Sequence, residues 1–370
     1  MHTFDLGVIS VVPSPYQRDL FRALNARPDL RLQVYYLEAS APDSPWPQVP
    51  LQPYETILPG FWFSIAGARF HVVTKMPSLK RHDFVALNSL TSSVAQWLLR
   101  FRPKRQRLLF WAEALRDQCS SGRARIQRVL SDPIRNVDAI VAIGSRAQAA
   151  YQGRFPGTPC FNVPYHCDLA AFSKRPPKTD PSTDPLHAGM VFLFCGQLIA
   201  RKGVDVLLEA FDQLIRNGHR ARLRLAGRRA DLDRMLANLS IATRERISYE
   251  GFSDPEHLPQ LFSEADVFVL PSRYDGWGVV VNQALGAGLP VICSEAVGAG
   301  VDLIKPGVNG IRFATGRSAA LAGAMEHFIT RPHLLRQYGA ASRKMAMDWT
   351  PVRGAEKWVT VLSDLSNSPR

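Results

Sequence analysis

The chain lacks any uninterrupted apolar run of the ~18 residues that a membrane-spanning helix requires. It is short of acids, with 32 Asp and Glu against 45 Lys and Arg and a net charge of +13. Cysteines are few and odd in number: Cys119, Cys160, Cys167, Cys195 and Cys293, with no Cys-x-x-Cys pair among them. That spacing excludes a zinc knuckle or a dithiol redox motif. Cys195 and Cys293 end or follow apolar runs, which predicts reduced core thiols and a cytoplasmic setting. No Gly-x-Gly-x-x-Gly follows the first strand, which argues against a nicotinamide oxidoreductase. Zinc-finger and RNP-like patterns are missing too, so the surplus of positive charge gives no case for nucleic acid. The opening, MHTFDLGVISVVPSP, has no basic leader and carries Asp5 inside its apolar stretch. It reads as a first strand, not a signal peptide.

What is present suits two α/β domains. The chain has 370 residues, 46% of them hydrophobic and 21% charged, too many for one ordinary core. Short apolar runs recur as GVISVV (7–12), LQVYYL (32–37), RLLFWA (107–112) and AIVAIG (139–144). After a gap they resume as VFLFCG (191–196), LRLAG (223–227), ISYEG (247–251), VFVLPS (267–272) and LPVICS (289–294). Amphipathic stretches separate them. Buried strands alternating with helices predict parallel sheets. We therefore expect an N-terminal domain over 1–172, a Pro- and Ser-rich linker over 173–189, and a C-terminal domain over 190–350. A last helix at about 352–366 is expected to pack back on the first domain. Open sheets bind ligands at the carboxyl ends of their strands, so facing domains would place a cleft there.

Two further features stand outside this rhythm. FWFSIAGARFHVV (61–73) reads as a hairpin insertion, whose aromatics either pack a satellite core or touch an acceptor or a membrane. From Arg100 to Arg135 the basic residues Arg102, Lys104, Arg105, Arg107, Arg116, Arg123, Arg125 and Arg128 accumulate. This run is either a solvated face or a surface for anionic lipid. The helix carrying Arg123, Ile126, Arg128 and Leu130 either lies on such an interface or packs on the core.

The segment VFLFCGQLIARKGVDVLLEAF (191–211) ends a strand at Gly196, then places Arg201 and Lys202 just before a helix. Two cations beside glycines at a helix N-terminus suit a diphosphate, because free N–H groups and the helix dipole favour an anion there. A solvated Arg-Lys pair explains the same letters. In PSRYDGWGVVVNQALGAGLPVICS (271–294), an acid and the run Gly276-Trp277-Gly278 follow a strand end. Asp275 there is either an N-cap or a hydrogen-bond acceptor for sugar hydroxyls. Asp231 and Asp233 form an Asp-x-Asp pair, but acids at a helix start account for them without a metal.

Taken together, GQLIARKG, LRLAG, ISYEGFSDPEHLPQLFSEADVFVLPS, DGWGVVVNQALGAGLPVI and DLIKPGVNGIRF resemble the family 4 retaining glycosyltransferases of the GT-B fold. The N-terminal half resembles them more loosely through VVPSPYQRDLF, VAIGSRAQAAY and VPYHCDLAAF. The resemblance implies two facing Rossmann-like domains with an inter-domain cleft. It implies transfer of a sugar from a nucleotide-sugar donor to a glycan or lipid-linked acceptor, with retention, in cell-surface polysaccharide or glycoconjugate biosynthesis. By the same resemblance Arg201 and Lys202 hold the donor diphosphate, Asp275 touches the transferred sugar and Gln283 the ribose. Gly196 and Gln197 line the donor loop. The backbone of Gly276, Trp277 and Gly278 lies against sugar and phosphate, and Tyr249, Gly251 and Phe252 lie by the base. From the residues themselves, Tyr16 and Arg18 fall where an acceptor would enter; Glu113 either contacts the acceptor or lies on the surface, and His166 either faces the cleft or packs at the domain junction. No metal or other cofactor is implied, and the protein would be cytoplasmic, at most peripheral at the inner face of the membrane.

Three positions depart from the family pattern, and a fourth feature is missing. Asp275 stands for a longer acid, Gln283 for a second acid, and Gln197 for an arginine. Trp111-Ala112-Glu113 occupies a place where the family often has a histidine. Two other readings follow: a non-catalytic donor- or glycan-binding partner subunit, and a sugar-nucleotide epimerase of the same architecture. The epimerase needs acid–base residues that the sequence does not offer.

Overall fold

The computed structural model describes residues 3–40, 46, 49–65, 68–115, 121–174 and 189–368. Most of the expected linker, together with Arg116 and Cys119, lies outside them. The chain divides into two compact units, Met1–Cys167 with Pro351–Arg370, and Asp168–Thr350. The short helix Ala170–Ser173, read above as the end of the first domain, belongs to the second unit. Its Phe172 meets Phe262 edge-on at 5.5 Å.

In the first unit, β1 (Phe4–Ser10), β2 (Leu30–Tyr36) and β3 (Glu55–Ile57) are followed by a separate hairpin, β4 (Gly60–Ile65) with β5 (Ala68–Val73). Then come β6 (Phe84–Leu87), β7 (Arg107–Ala112), β8 (Ala139–Ala142) and β9 (Cys160–Asn162). Apart from the hairpin they form one sheet in the order β3-β2-β1-β6-β7-β8-β9, and all its pairs are parallel. The strands β3 and β9 are three residues long, too short to register as a period in the sequence, and the four-residue β6 was not among the expected strands. The C-terminal helix Pro351–Asn367 packs on the helix Pro15–Asn25. Its Trp358 meets Trp111 at 5.4 Å, and Gly354 sits so tightly on His166 that an added methyl would lie 2.8 Å from that side chain.

The second unit repeats the plan with β10 (Met190–Cys195), β11 (Ala221–Ala226), β12 (Ile247–Gly251), β13 (Val267–Leu270), β14 (Val291–Ser294) and β15 (Gly310–Phe313). The order is β12-β11-β10-β13-β14-β15, again parallel throughout. All six residues of β10 are buried, as a strand covered on both faces requires. Each leucine or phenylalanine buried there contributes about 1.5–3 kcal/mol. In both units the strand order reverses beside the first strand, between β1 and β6 and between β10 and β13. An open α/β sheet offers a ligand crevice at that point.

The cysteines behave as core residues. Cys195 and Cys293 are buried and free, and desolvation pushes both thiols up to about 12. The hairpin does not form a satellite core: Phe61, Trp62, Phe63 and Ile65 are all exposed. Ile126 and Val129, on the helix Ser121–Ser131, are exposed as well, so that helix does not bury these apolar positions in the core.

Candidate functional site

The loop after β10 and the loop after β13 interlock by backbone contact. Gly203 closes the 3-10 turn Ala200–Lys202 with φ +71 and caps the helix Val204–Arg216. A side chain there would meet the carbonyl oxygen of Pro271 at 2.0 Å, so only glycine permits the approach. Gly227, after β11, lies equally close to the carbonyl of Gly196.

Arg273 locks the two loops together. Its amide donates to the carbonyl of Arg201 at 2.9 Å, and its guanidinium donates to the carbonyl of Ala200 at 2.6 Å. The same guanidinium makes a two-pronged pair with Asp205, both contacts at 2.6 Å. Burial alone would raise the Asp205 carboxyl, but the Arg273 hydrogen bond and charge leave it lowered on balance. Neither residue was singled out from the sequence. The only signal was an acid in the first turn of the 204–216 helix and a base beside Pro271-Ser272.

Held this way, the cations meet the acid. Lys202 Nζ lies 2.5 Å from Asp275 Oδ2, and both side chains are largely buried. Ser272 Oγ also donates to that oxygen, at 3.3 Å. Arg201 donates to the carbonyl of Tyr274 at 3.2 Å and to Gln197 Oε1 at 3.4 Å. Gln197, at the position expected to hold an arginine, therefore supports Arg201 as a hydrogen-bond acceptor. Asp275 is held by backbone bonds as a bridge, its N–H on Ala296 and its carbonyl accepting from Gly298 at 3.0 Å. Gly298 must be glycine, since a Cβ would lie 2.1 Å from the Gly276 carbonyl oxygen.

The Trp277 side chain turns away from any ligand. It is fully buried, its indole N–H donates to Asn282 Oδ1 at 2.9 Å, and its ring lies 5.8 Å from that of Trp349. Only the backbone of Gly276-Trp277-Gly278 is left for a donor, and Gly278 at φ +95 sets its path. Gln283 follows on the short helix Val280–Gly286. Its side-chain oxygen is buried and accepts no hydrogen bond from the described residues, an unfilled valence that a hydroxyl donor would satisfy.

At the end of β12, Tyr249 donates to the Gly227 carbonyl at 3.0 Å, and the Arg229 guanidinium stacks 5.2 Å above its ring. Gly251 adopts φ +77, and Phe252 beyond it is exposed. Gly196, Gln197, Arg201, Lys202, Tyr249, Gly251, Phe252, Asp275, Gly276, Trp277, Gly278 and Gln283 are thus all in the second unit. All but Gln283 lie at or just beyond the carboxyl ends of β10, β12 and β13. Asp231 and Asp233 are engaged elsewhere, with Arg234 at 3.8 Å and Arg229 at 2.5 Å.

The four acceptor-side residues lie in the first unit and differ in fate. Tyr16 is half-buried between Tyr165 and Trp46, with ring centroids 4.9 and 6.1 Å away. Glu113 follows β7, and Tyr151 donates to its carbonyl at 2.8 Å. Arg18 is already engaged: its guanidinium is buried in a forked pair with Glu55, at 2.9 and 2.6 Å, which Tyr36 also reaches. His166 is not open either. It is fully buried under the C-terminal helix, and desolvation presses its pKa down to about 4. Where the first unit's strand order reverses, Ser10, Ser14, Gln17 and Asn88 form a hydrogen-bonded cluster that the sequence did not reveal. Beside it opens a cavity of about 590 Å³, walled by Pro13, Pro15, Arg18, Trp46, Leu51 and Ile57.

The family model for glycosyl transferases group 1 matches residues 181–345. An alpha-D-kanosaminyltransferase of Streptomyces kanamyceticus is 28% identical over 177 residues, 47% of this chain and 43% of that protein. The chain thus spans less than half the length of this curated relative. Among solved structures, the sucrose-phosphate synthase of Thermosynechococcus elongatus superposes with a TM-score of 0.76 at 20% identity, covering 98% of this chain and 99% of that one. HepE of Anabaena, solved in complex with UDP, gives a TM-score of 0.70 at 17% identity over 98% of this chain and all of that one. The fold is that of the GT-B glycosyltransferases, with two Rossmann-like domains.

Proposed function

We propose, on the premise that residues 181–345 belong to the glycosyl transferases group 1 family, that this chain moves a sugar from a nucleotide-sugar donor to a glycan or lipid-linked acceptor. The observation that carries this reading is the Lys202–Asp275 pair, fixed where the second sheet reverses order. A diphosphate entering there meets Arg201, Lys202 and the amides opening the 204–216 helix. Its charge grows as the sugar departs, and preorganised cations and dipoles stabilise that growth most. Asp275, on Lys202, is then placed to accept hydrogen bonds from the transferred sugar. The unfilled oxygen of Gln283 suits a ribose hydroxyl, in place of a charged acceptor.

The acceptor hydroxyl attacks from the face the diphosphate leaves, and a departing phosphate oxygen takes its proton, so configuration is retained. Two side-chain cations supply the neutralisation that a divalent metal supplies elsewhere, and the reaction needs none. We place the acceptor in the first unit, where Tyr16 and the cavity by Trp46 supply aromatic and apolar walls. The experiment is turnover with a panel of UDP-, GDP- and ADP-sugars, followed by release of the nucleoside diphosphate. Release above the enzyme-free rate with one of them supports the reading. Binding without release across the panel would instead favour a donor-binding partner subunit.

A further inference from the structure

We propose that the β4–β5 hairpin seats the first unit on an anionic lipid bilayer. In an antiparallel pair, opposed residues share a face. The register pairs Phe61 with Val72, Phe63 with Phe70, and Ile65 with Ala68, so one face of the ribbon is apolar at every position. Phe61 is 59% exposed, Phe63 41% and Ile65 52%, although Phe63 and Phe70 already stack at 5.8 Å.

The other face holds the ribbon to the body of the unit. There Arg69 and His71 converge on Glu38 at 2.6 and 3.1 Å, and Arg69 caps the Trp62 ring at 4.8 Å. The amide of His71 donates to Thr91, and that of Val73 to Ser93 Oγ. The fold therefore fixes the hairpin with its apolar face outward.

Three occupants compete for such a face. A second copy would need about 20–30 residues a side for a stable interface, and the ribbon offers six apolar side chains. A soluble glycan needs hydrogen-bonding partners, and none of those six side chains has a polar atom. A bilayer needs apolar side chains flanked by cations and few acids. Between Thr56 and Ala112 the only acid is Asp83.

The ribbon is also joined to further surface of the same character. β5 packs on the helix Ser93–Arg100, whose Trp97 is exposed, as is Phe101 just beyond it. Arg100 reaches the carbonyl of Val129 on the next helix, which exposes Ile126, Val129, Arg125 and Arg128. Apolar insertion by the hairpin and attraction by these arginines act together at the interface.

The test is co-sedimentation of the full chain with phosphatidylcholine vesicles, with and without phosphatidylglycerol, at low salt. It needs neither donor nor acceptor, so its failure leaves the glycosyl-transfer reading standing. Wild type is expected to pellet only with the anionic vesicles. The F61S/F63S double variant should partition about tenfold less or weaker still, because two interfacial anchors are gone. Its thermal unfolding should shift only slightly, because Phe61 is mostly exposed and Phe63 loses one stacking contact, with Phe70. R125E/R128E should bind more weakly and lose most of its salt sensitivity. Wild-type binding undiminished in F61S/F63S would overturn the proposal, as would absence of binding to anionic vesicles at low salt. A dimer that falls to a monomer in F61S/F63S, with no vesicle binding in wild type, would assign the face to a second copy instead.

Discussion

Lys202 and Asp275 share a contact of 2.5 Å, so each sets the position of the other. Asp275→Asn should keep the shape but remove the charge that holds Lys202 and that, on the proposed reading, faces the sugar. Turnover is expected to fall about ten- to hundredfold, the worth of one charge-assisted bond, and nucleoside-diphosphate affinity should fall less. Gln283→Glu should be tolerated, because it offers the ribose a stronger acceptor in the same place. Steady-state kinetics beside binding measurements on both variants checks this. Loss of activity in a folded Gln283→Glu protein would remove Gln283 from the donor site. At this scale the closeness of the two loops was legible in part: glycines and charges within a few residues of two strand ends do come together, with Lys202 on Asp275. The partners of other residues were not legible. Arg18 reads as an entrance residue because it follows the first strand, yet Glu55, 37 positions on, draws it into a buried pair. Trp277 sits between two glycines of the proposed donor loop, yet its ring is buried in the core.

At the scale of elements, two loops depend on a clamp that local pattern cannot show, since Asp205 and Arg273 lie 68 positions apart. Arg273→Ala removes the two-pronged bond to Asp205 and the guanidinium bond to Ala200. The pair is partly exposed, so global stability should change by only about 1 kcal/mol or less. The 200–203 turn should loosen, and diphosphate affinity should drop severalfold although Arg273 itself need not touch the donor. Equal affinity in the variant would show that Gly203 and Pro271 hold the loop unaided. Long strands such as β1, β2, β7 and β10 were readable from their apolar runs to within a few residues. β3 and β9 were not, because three residues carry no distinguishable period, and β6 was missed although β8, β13 and β14, no longer than it, stood out within apolar runs.

At the scale of the whole molecule, two repeats of one parallel plan were legible from alternation of strand and helix. The unit boundary was displaced by a few residues, because packing of Phe172 on Phe262 assigns the 170–173 helix to the second unit. On the proposed reading, cations of the chain take the place of a metal bridge between the phosphates. Turnover should therefore persist in EDTA at undiminished rate. Complete loss, restored by manganese, would mean that carboxylates ligate a metal during the reaction, Asp231 and Asp233 being the first to test.

The central claim is that the Arg201–Lys202 turn is a diphosphate site. Nucleoside diphosphates should raise the melting temperature of wild type, since a ligand of the folded state stabilises it by mass action. R201A and K202A should each weaken that binding about ten- to hundredfold, as expected for loss of a charge-assisted contact. The measurement is the melting temperature across a UDP, GDP and ADP titration for the three proteins. A shift in wild type that is lost or greatly reduced in both variants is the predicted result. Equal shifts in all three proteins, or none in wild type with any of the three nucleotides, would contradict the account.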